Sequence, residues 1–301
     1  MKSKNKMMEK RIQEKRITVL GLGQMGRRMA EMYLGQGYQV TVWNRNISKA
    51  RDIDGAIVAT TVEEAISVNE VIIICVLDNN AVTAILDQAG EPGFSKKTFI
   101  NLTTGNPQEA KELESRLAVQ GGAYLNGAIQ VAPEQMGQPD TTILMAGNKE
   151  SFDEVKTVLD VLGGNIKFLG VNASASPAMD LATLSWVYGS YIGLLYGVAL
   201  VQAEGMQLHD FRDIVGEIAP SFIEFFKHEV NMIQEDNYNI TQSPLMISVG
   251  ATQRIADAVS AAKLDPAFTN VMAGLLQKAR VRGFENQEVT AVLKVINSPD
   301  R

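Results

Sequence analysis

The chain has a single cysteine, Cys75, in 301 residues. That excludes an intrachain disulfide and fits a reducing, cytoplasmic location. Cys75 stands in the apolar run Val71-Ile72-Ile73-Ile74-Cys75-Val76, so it reads as a buried strand residue rather than a nucleophile. There is no excess of basic residues either. The formal net charge is −6, and the one dense Lys/Arg cluster, Lys2 to Arg16, also holds Glu9 and Glu14. A nucleic-acid partner is therefore not expected. The same segment lacks an apolar core followed by a small-residue cleavage site, so residues 1–15 read as a solvated leader and not a signal peptide. Hydrophobic residues make up 46% of the chain, an ordinary share that excludes the disordered, collagen-like and disulfide-rich classes. The length suffices for two domains.

Strands are absent from the second half. Up to about residue 170, short β-branched runs alternate with helical stretches: Ile17–Leu20, Gln39–Trp43, Ile57–Ala59, Val71–Val76, Thr98–Asn101, Ala123–Ile129, Thr142–Ala146 and Asn165–Phe168. Continuously apolar strands separated by helices imply a mostly parallel sheet covered on both faces, a doubly wound α/β domain over residues 16–170. Residues 171–301 read as all-helical. Their first element is a long helix over about 173–203.

What the first half does contain is a phosphate-binding turn. Gly21-Leu22-Gly23-Gln24-Met25-Gly26 directly follows the first strand and opens a helix that stops near Gly35 and Gly37. In that context Gly21 makes the tight turn, Gly23 lets backbone approach a pyrophosphate and Gly26 lets helix and strand pack closely. Where dinucleotide enzymes that use NAD usually carry a carboxylate, at the end of the second strand, this chain has Trp43-Asn44-Arg45-Asn46, with Lys49 close behind. A cation there attracts a 2′-phosphate, which favours NADPH/NADP+ as the cofactor. Two further strand ends face the same crevice, with Val76, Leu77 and Asp78 on one and Thr103 and Thr104 on the other. Asp78 reads as a helix cap. The threonines read equally well as caps of a helix starting near Pro107 or as ligand contacts. No metal site is expected.

The long helix is apolar on every side, yet Asp180 sits near its start. Leu181 to Ala203 is as long as a membrane span, and Gly189, Gly193 and Gly197 repeat at small-xxx-small spacing. Asp180 and Thr183 at one end, Glu204 at the other and the lack of basic flanks argue against a membrane. A soluble helix that is apolar all round has to be buried all round, so a second copy of the chain is expected to cover it. Tyr188 lies two turns after Asp180 on the same face, with Leu184 between them. Trp186 and Tyr191 fall on other faces and read as core or interface, and His209 reads as a surface residue near a helix start.

The ordered set of GLGQMG, VWNRN, NLTTG, the Asn126-Gly127-Ala128-Ile129 segment with the loop Pro133 to Pro139, and Ser176-Pro177-Ala178-Met179-Asp180-Leu181-Ala182 resembles the imine reductases of the β-hydroxyacid dehydrogenase superfamily. The resemblance implies a Rossmann domain, a long interdomain helix and a helical bundle, assembled as an intertwined homodimer. It further implies reduction of cyclic imines by NADPH, with Asp180 protonating the nitrogen or anchoring the iminium, and Tyr188 shaping the pocket. Hydroxyacid dehydrogenases of that superfamily carry lysine at the helix position of Asp180 and asparagine one turn later, where this chain has Leu184. A lysine suits an oxyanion and a carboxylate suits an iminium. The competing readings are a 3-hydroxyacid dehydrogenase-like oxidoreductase and a non-catalytic NADPH-binding protein.

Overall fold

The computed structural model describes residues 15–90 and 93–298, so the expected leader over 1–15 lies, apart from Lys15, outside the described residues. Its first half is an eight-stranded sheet in the order β3-β2-β1-β4-β5-β6-β7-β8. The strands are β1 (Arg16–Leu20), β2 (Gln39–Trp43), β3 (Ile57–Val58), β4 (Val71–Ile74), β5 (Thr98–Asn101), β6 (Ala123–Ile129), β7 (Thr142–Gly147) and β8 (Asn165–Phe168). Every neighbouring pair is parallel except β6 with β7. Strand order reverses between β1 and β4, which leaves the crevice where doubly wound sheets bind ligands.

The strands are apolar along their whole length because both faces of the sheet are covered. Ile17 and Val19 of β1 pack into one buried cluster with Ile73, Ile100 and Leu125, whereas Leu20 packs into another with Ile72, Ile74 and Phe99. Successive residues thus feed opposite faces, as the two-residue period of a strand requires. Six helices cover the sheet: α1 (Gln24–Gly35), α2 (Ile47–Arg51), α3 (Val62–Ser67), α4 (Asn79–Gln88), α5 (Pro107–Val119) and α6 (Lys149–Leu159). Asp78 caps α4, its carboxylate accepting from the Ala81 N–H at 2.9 Å. Strand β4 ends at Ile74 and not at Val76, which leaves Cys75 half-buried just beyond it. Burial pushes the Cys75 thiol up to about 11, so the thiolate nucleophile stays disfavoured.

Helix α7 (Ala175–Ala203) starts two residues later than the sequence suggests. The chain divides into two compact units inside this helix, one ending at Trp186 and the other beginning at Val187. The reason is visible in its first turns. The buried Ser176 hydroxyl donates to the Leu144 carbonyl of β7 at 3.1 Å, so the start of α7 belongs to the sheet. By length and composition α7 is apolar enough to cross a membrane, and its first turn is tied to the sheet by the Ser176 bond.

The second unit is helical: the rest of α7, then α8 (Leu208–Gln234), α9 (Leu245–Ala261), α10 (Ala267–Val281) and the short α11 (Leu293–Ile296). Gly197 meets α8 closely, since a Cβ there would stand 2.6 Å from the Phe211 ring, while Gly189 and Gly193 have open space beside them. Trp186, Tyr191 and Leu195 of α7 and Phe222 and Phe226 of α8 are exposed in the single chain.

The loop before α9 is pinned by one carboxylate. Glu288, fully buried, accepts from the backbone N–H groups of Thr241, Gln242 and Ser243 and from the Thr241 hydroxyl. Burial pushes the Glu288 carboxyl up, but these donors outweigh it and hold the group below its ordinary 4.5. A lowered carboxyl stabilises the fold above its unfolded value, and that stabilisation is lost as pH falls through the folded value. Urea unfolding of wild type and Glu288→Gln should therefore differ most above the ordinary carboxylate range and converge as the pH falls below it. Neighbouring Glu229, pushed up by its own burial and then by the charge of Glu288, acts in the opposite sense.

Candidate active site

The glycine loop is held from two sides. The Gly21 N–H donates to the Trp43 carbonyl at 2.9 Å, and the Leu22 N–H donates to Asn44 Oδ1 at 2.9 Å. Each glycine has its own reason. Gly21 has φ of +95° and an added Cβ would lie 2.2 Å from the Cys75 carbonyl oxygen. A Cβ at Gly26 would lie 2.0 Å from the Gly21 carbonyl oxygen, the close helix–strand approach, whereas Gly23 faces open space. No side chain caps α1 and none in its first turn is acidic, so the amides after Gly23 and the positive end of the helix are left for an anion. Gly21→Ala should cost about 3 kcal/mol of stability by denaturant titration, because strained backbone and a backbone collision coincide.

Beside the loop, at the end of β2, lies a cavity of about 440 Å³ lined by Trp43, Asn44, Arg45, Thr60, Thr61 and Gln88 among others. Arg45 and Lys49 are exposed at this end of the sheet. An open glycine turn, uncapped helix amides and a cavity carrying a guanidinium fit a dinucleotide with a 2′-phosphate. Three residues expected to contact it, Leu22, Asn44 and Asn46, have other partners. The Leu22 amide is taken by Asn44, and Asn46 caps α2 by accepting from the Ser48 N–H at 3.1 Å. Asn44 is the brace between them, its Nδ2 donating to the Asn46 carbonyl.

At the next strand ends, Val76 and Leu77 follow β4, with Leu77 88% exposed on the crest. Thr103 is buried and its hydroxyl accepts from the Val76 N–H at 3.1 Å, so it links two crests. Thr104 is exposed. Neither threonine caps α5. Asn106 does, in a capping box with Glu109, because only a residue directly before Pro107 can reach the first-turn amides. Below the crests lies a buried polar network. Asn101 Nδ2 donates to Asn79 Oδ1 and to the Tyr124 hydroxyl, and Asn126 Nδ2 donates to the same hydroxyl. Burial pushes Tyr124 up to about 12, partly offset by Asn126 and Asn101, so it stays a neutral structural hub.

Asp180 lies one turn after Ser176 on the sheet side of α7 and is only 5% exposed. Gln130, directly after β6, donates from Nε2 to Asp180 Oδ1 at 2.6 Å. The Thr183 hydroxyl lies 2.8 Å from Gln130 Oε1 and 2.8 Å from the Asp180 carbonyl oxygen. Tyr188, by contrast, belongs to the second unit, is 63% exposed, and has no hydrogen-bond partner among the described residues. Gln130 and the asparagine network escaped the sequence reading. The available signal for Gln130 was its position, a polar residue immediately beyond the carboxyl end of an apolar strand.

A Rossmann sheet with an open glycine turn, an arginine at the end of β2 and a buried carboxylate on the following helix fits a nicotinamide-dinucleotide-dependent oxidoreductase. Comparison with known proteins narrows this. Residues 16–170 match the NAD binding domain of 6-phosphogluconate dehydrogenase, and residues 172–298 match the C-terminal domain of NADPH-dependent reductive aminase-like proteins. The chain is 29% identical to the NADPH-dependent reductive aminase of Aspergillus oryzae, over 93% of this chain and 96% of the relative. It superposes on a reductive aminase from Aspergillus terreus, solved with NADPH4, cyclohexanone and allyl amine, with a TM-score of 0.87 at 31% identity, covering 93% of this chain and 99% of that one. An imine reductase from Myxococcus stipitatus with NADP+ gives a TM-score of 0.88 at 26% identity over the same shares. The chain belongs to the NADPH-dependent imine reductase family.

Proposed function

We propose that the protein reduces cyclic imines to amines, with Asp180 as the carboxylate that anchors the iminium. The observation that carries this is the Gln130–Asp180 bond. An amide N–H aimed at Oδ1 at 2.6 Å holds the carboxyl group in one orientation, and a carboxylate there would oppose the positive charge of a protonated imine. NADPH, held by the glycine turn that Asn44 braces and by Arg45, supplies the hydride. Asp180 orients the cation and favours its electrophilic, protonated state. Its burial keeps water from screening that attraction.

The lysine that a hydroxyacid dehydrogenase of the superfamily would carry here is missing, which counts against oxyanion chemistry. Incubating the protein with NADPH and a panel of cyclic imines and ketoacids, and following cofactor absorbance, tests the assignment. Turnover of imines is expected. Turnover of ketoacids alone would replace it with a hydroxyacid dehydrogenase, and none at all would favour a non-catalytic NADPH-binding protein.

The exposed apolar side chains of α7 and α8 support assembly as a soluble homodimer, in which a second copy covers those flanks. Tyr188 belongs to this reading as a wall of the substrate pocket. The single cysteine favours a cytoplasmic setting. Light scattering should give twice the 32.8 kDa of one chain.

A further inference from the structure

We infer that Gln130 and Thr183 form a clamp that positions the Asp180 carboxylate, Gln130 by direct hydrogen bond and Thr183 by fixing which way the Gln130 amide faces. The inference rests on the proposed role of Asp180. A half-buried glutamine side chain has two amide orientations that fill the same volume. Here they are not equivalent. With Nε2 toward Asp180, Gln130 donates to Oδ1 at 2.6 Å and its Oε1 receives the Thr183 proton at 2.8 Å. Turned over, Oε1 would face a carboxylate oxygen, acceptor against acceptor, at that short distance. Thr183 has one proton and two acceptors within reach, Gln130 Oε1 and the Asp180 carbonyl of its own helix. Giving it to Gln130 completes the chain Thr183 to Gln130 to Asp180.

The clamp is stiff because its parts come from separate, anchored elements. The Gln130 backbone N–H donates to the Thr142 carbonyl at 3.0 Å, continuing the β6–β7 ladder one residue past the strand. On the helix side, the bond from Ser176 to Leu144 fixes the turn that precedes Asp180. Residues 176, 180 and 183 fall on one face of α7, so the sheet holds the helix at three successive points. A carboxylate with one oxygen bound this way has its χ rotation restrained and its other oxygen left for a cation. That is the pre-organisation an electrostatic anchor needs.

The test measures kcat with a cyclic imine, and NADPH affinity by fluorescence titration, for Gln130→Met, Thr183→Val, Thr183→Ser, Asp180→Asn and the double variant Gln130→Met/Asp180→Asn. Gln130→Met, which keeps length and loses the amide, should lower kcat about tenfold with NADPH affinity unchanged, the loss of one hydrogen bond to a charged group. Thr183→Val should follow it and Thr183→Ser should stay at the wild-type rate. In the Asp180→Asn background, Gln130→Met should change kcat by less than about twofold, because a residue that acts by positioning the Asp180 charge has no charge left to position. An equal cost in both backgrounds, or a wild-type rate for Gln130→Met with Asp180→Asn slow, overturns the clamp alone. A wild-type rate for Asp180→Asn overturns the functional reading beneath it.

Discussion

Asp180→Asn should lower kcat for a cyclic imine by about a hundredfold to a thousandfold while leaving the NADPH dissociation constant within about twofold. Asparagine keeps the shape and still offers Oδ1 to Gln130, so what disappears is the charge. The residue is 5% exposed, and in that setting a carboxylate–cation attraction is screened far less than at a surface. The glycine turn and the end of β2, to which the proposed function assigns NADPH binding, are not touched by the substitution. A second substrate decides how the carboxylate acts. An N-methylated cyclic iminium carries its charge at every pH and needs no proton on nitrogen. An anchor predicts that Asp180→Asn slows this substrate as much as the neutral imine, whereas a proton donor predicts loss with the imine alone. Equal rates for the variant and wild type on both substrates would remove Asp180 from the chemistry.

The parts of the molecule legible in the sequence are those governed by local rules. Continuous β-branched runs marked all eight strands to within two residues, because a strand buried on both faces must be apolar throughout. The glycine turn was legible because Gly21, Gly23 and Gly26 each answer a separate demand, positive φ, open approach and helix–strand contact. Side-chain partners between elements were not. Nothing local says that the Leu22 amide meets Asn44, that Thr103 bridges to Val76 rather than capping α5, or that Asn79, Asn101, Tyr124 and Asn126 share a buried network. Apart from the Asn126–Tyr124 bond within one strand, these bonds join residues brought together by the crossovers. Asp180 stood out as a carboxylate on an apolar helix, but Gln130, the residue that aims it, lies 50 positions away. Helix α7 shows the same limit. Its uniform apolarity predicted burial, yet in one chain Trp186, Tyr188 and Tyr191 are more than half exposed. The pattern describes a surface without naming what covers it.

Arg45→Ala should raise the NADPH Michaelis constant about tenfold, leave kcat nearly unchanged, and narrow the preference for NADPH over NADH by a similar factor. Arg45 borders the 440 Å³ cavity at the end of β2 and is exposed beside it. A guanidinium there would meet a 2′-phosphate through charge-assisted bonds. Full desolvation would make the loss larger, and solvent at the cavity mouth limits it. The asymmetry between cofactors is the informative part. NADH lacks the phosphate, so a residue that recognises only that group should leave its kinetics alone. Equal losses with both cofactors would mean that Arg45 holds the loop rather than the ligand. Asn44 supplies the contrast, since its side chain braces Leu22 and Asn46. Asn44→Ala should weaken NADPH and NADH alike by loosening the glycine turn. If Arg45→Ala and Asn44→Ala gave the same pattern across the two cofactors, the 2′-phosphate would be read elsewhere, and Lys49 would be the next residue to change.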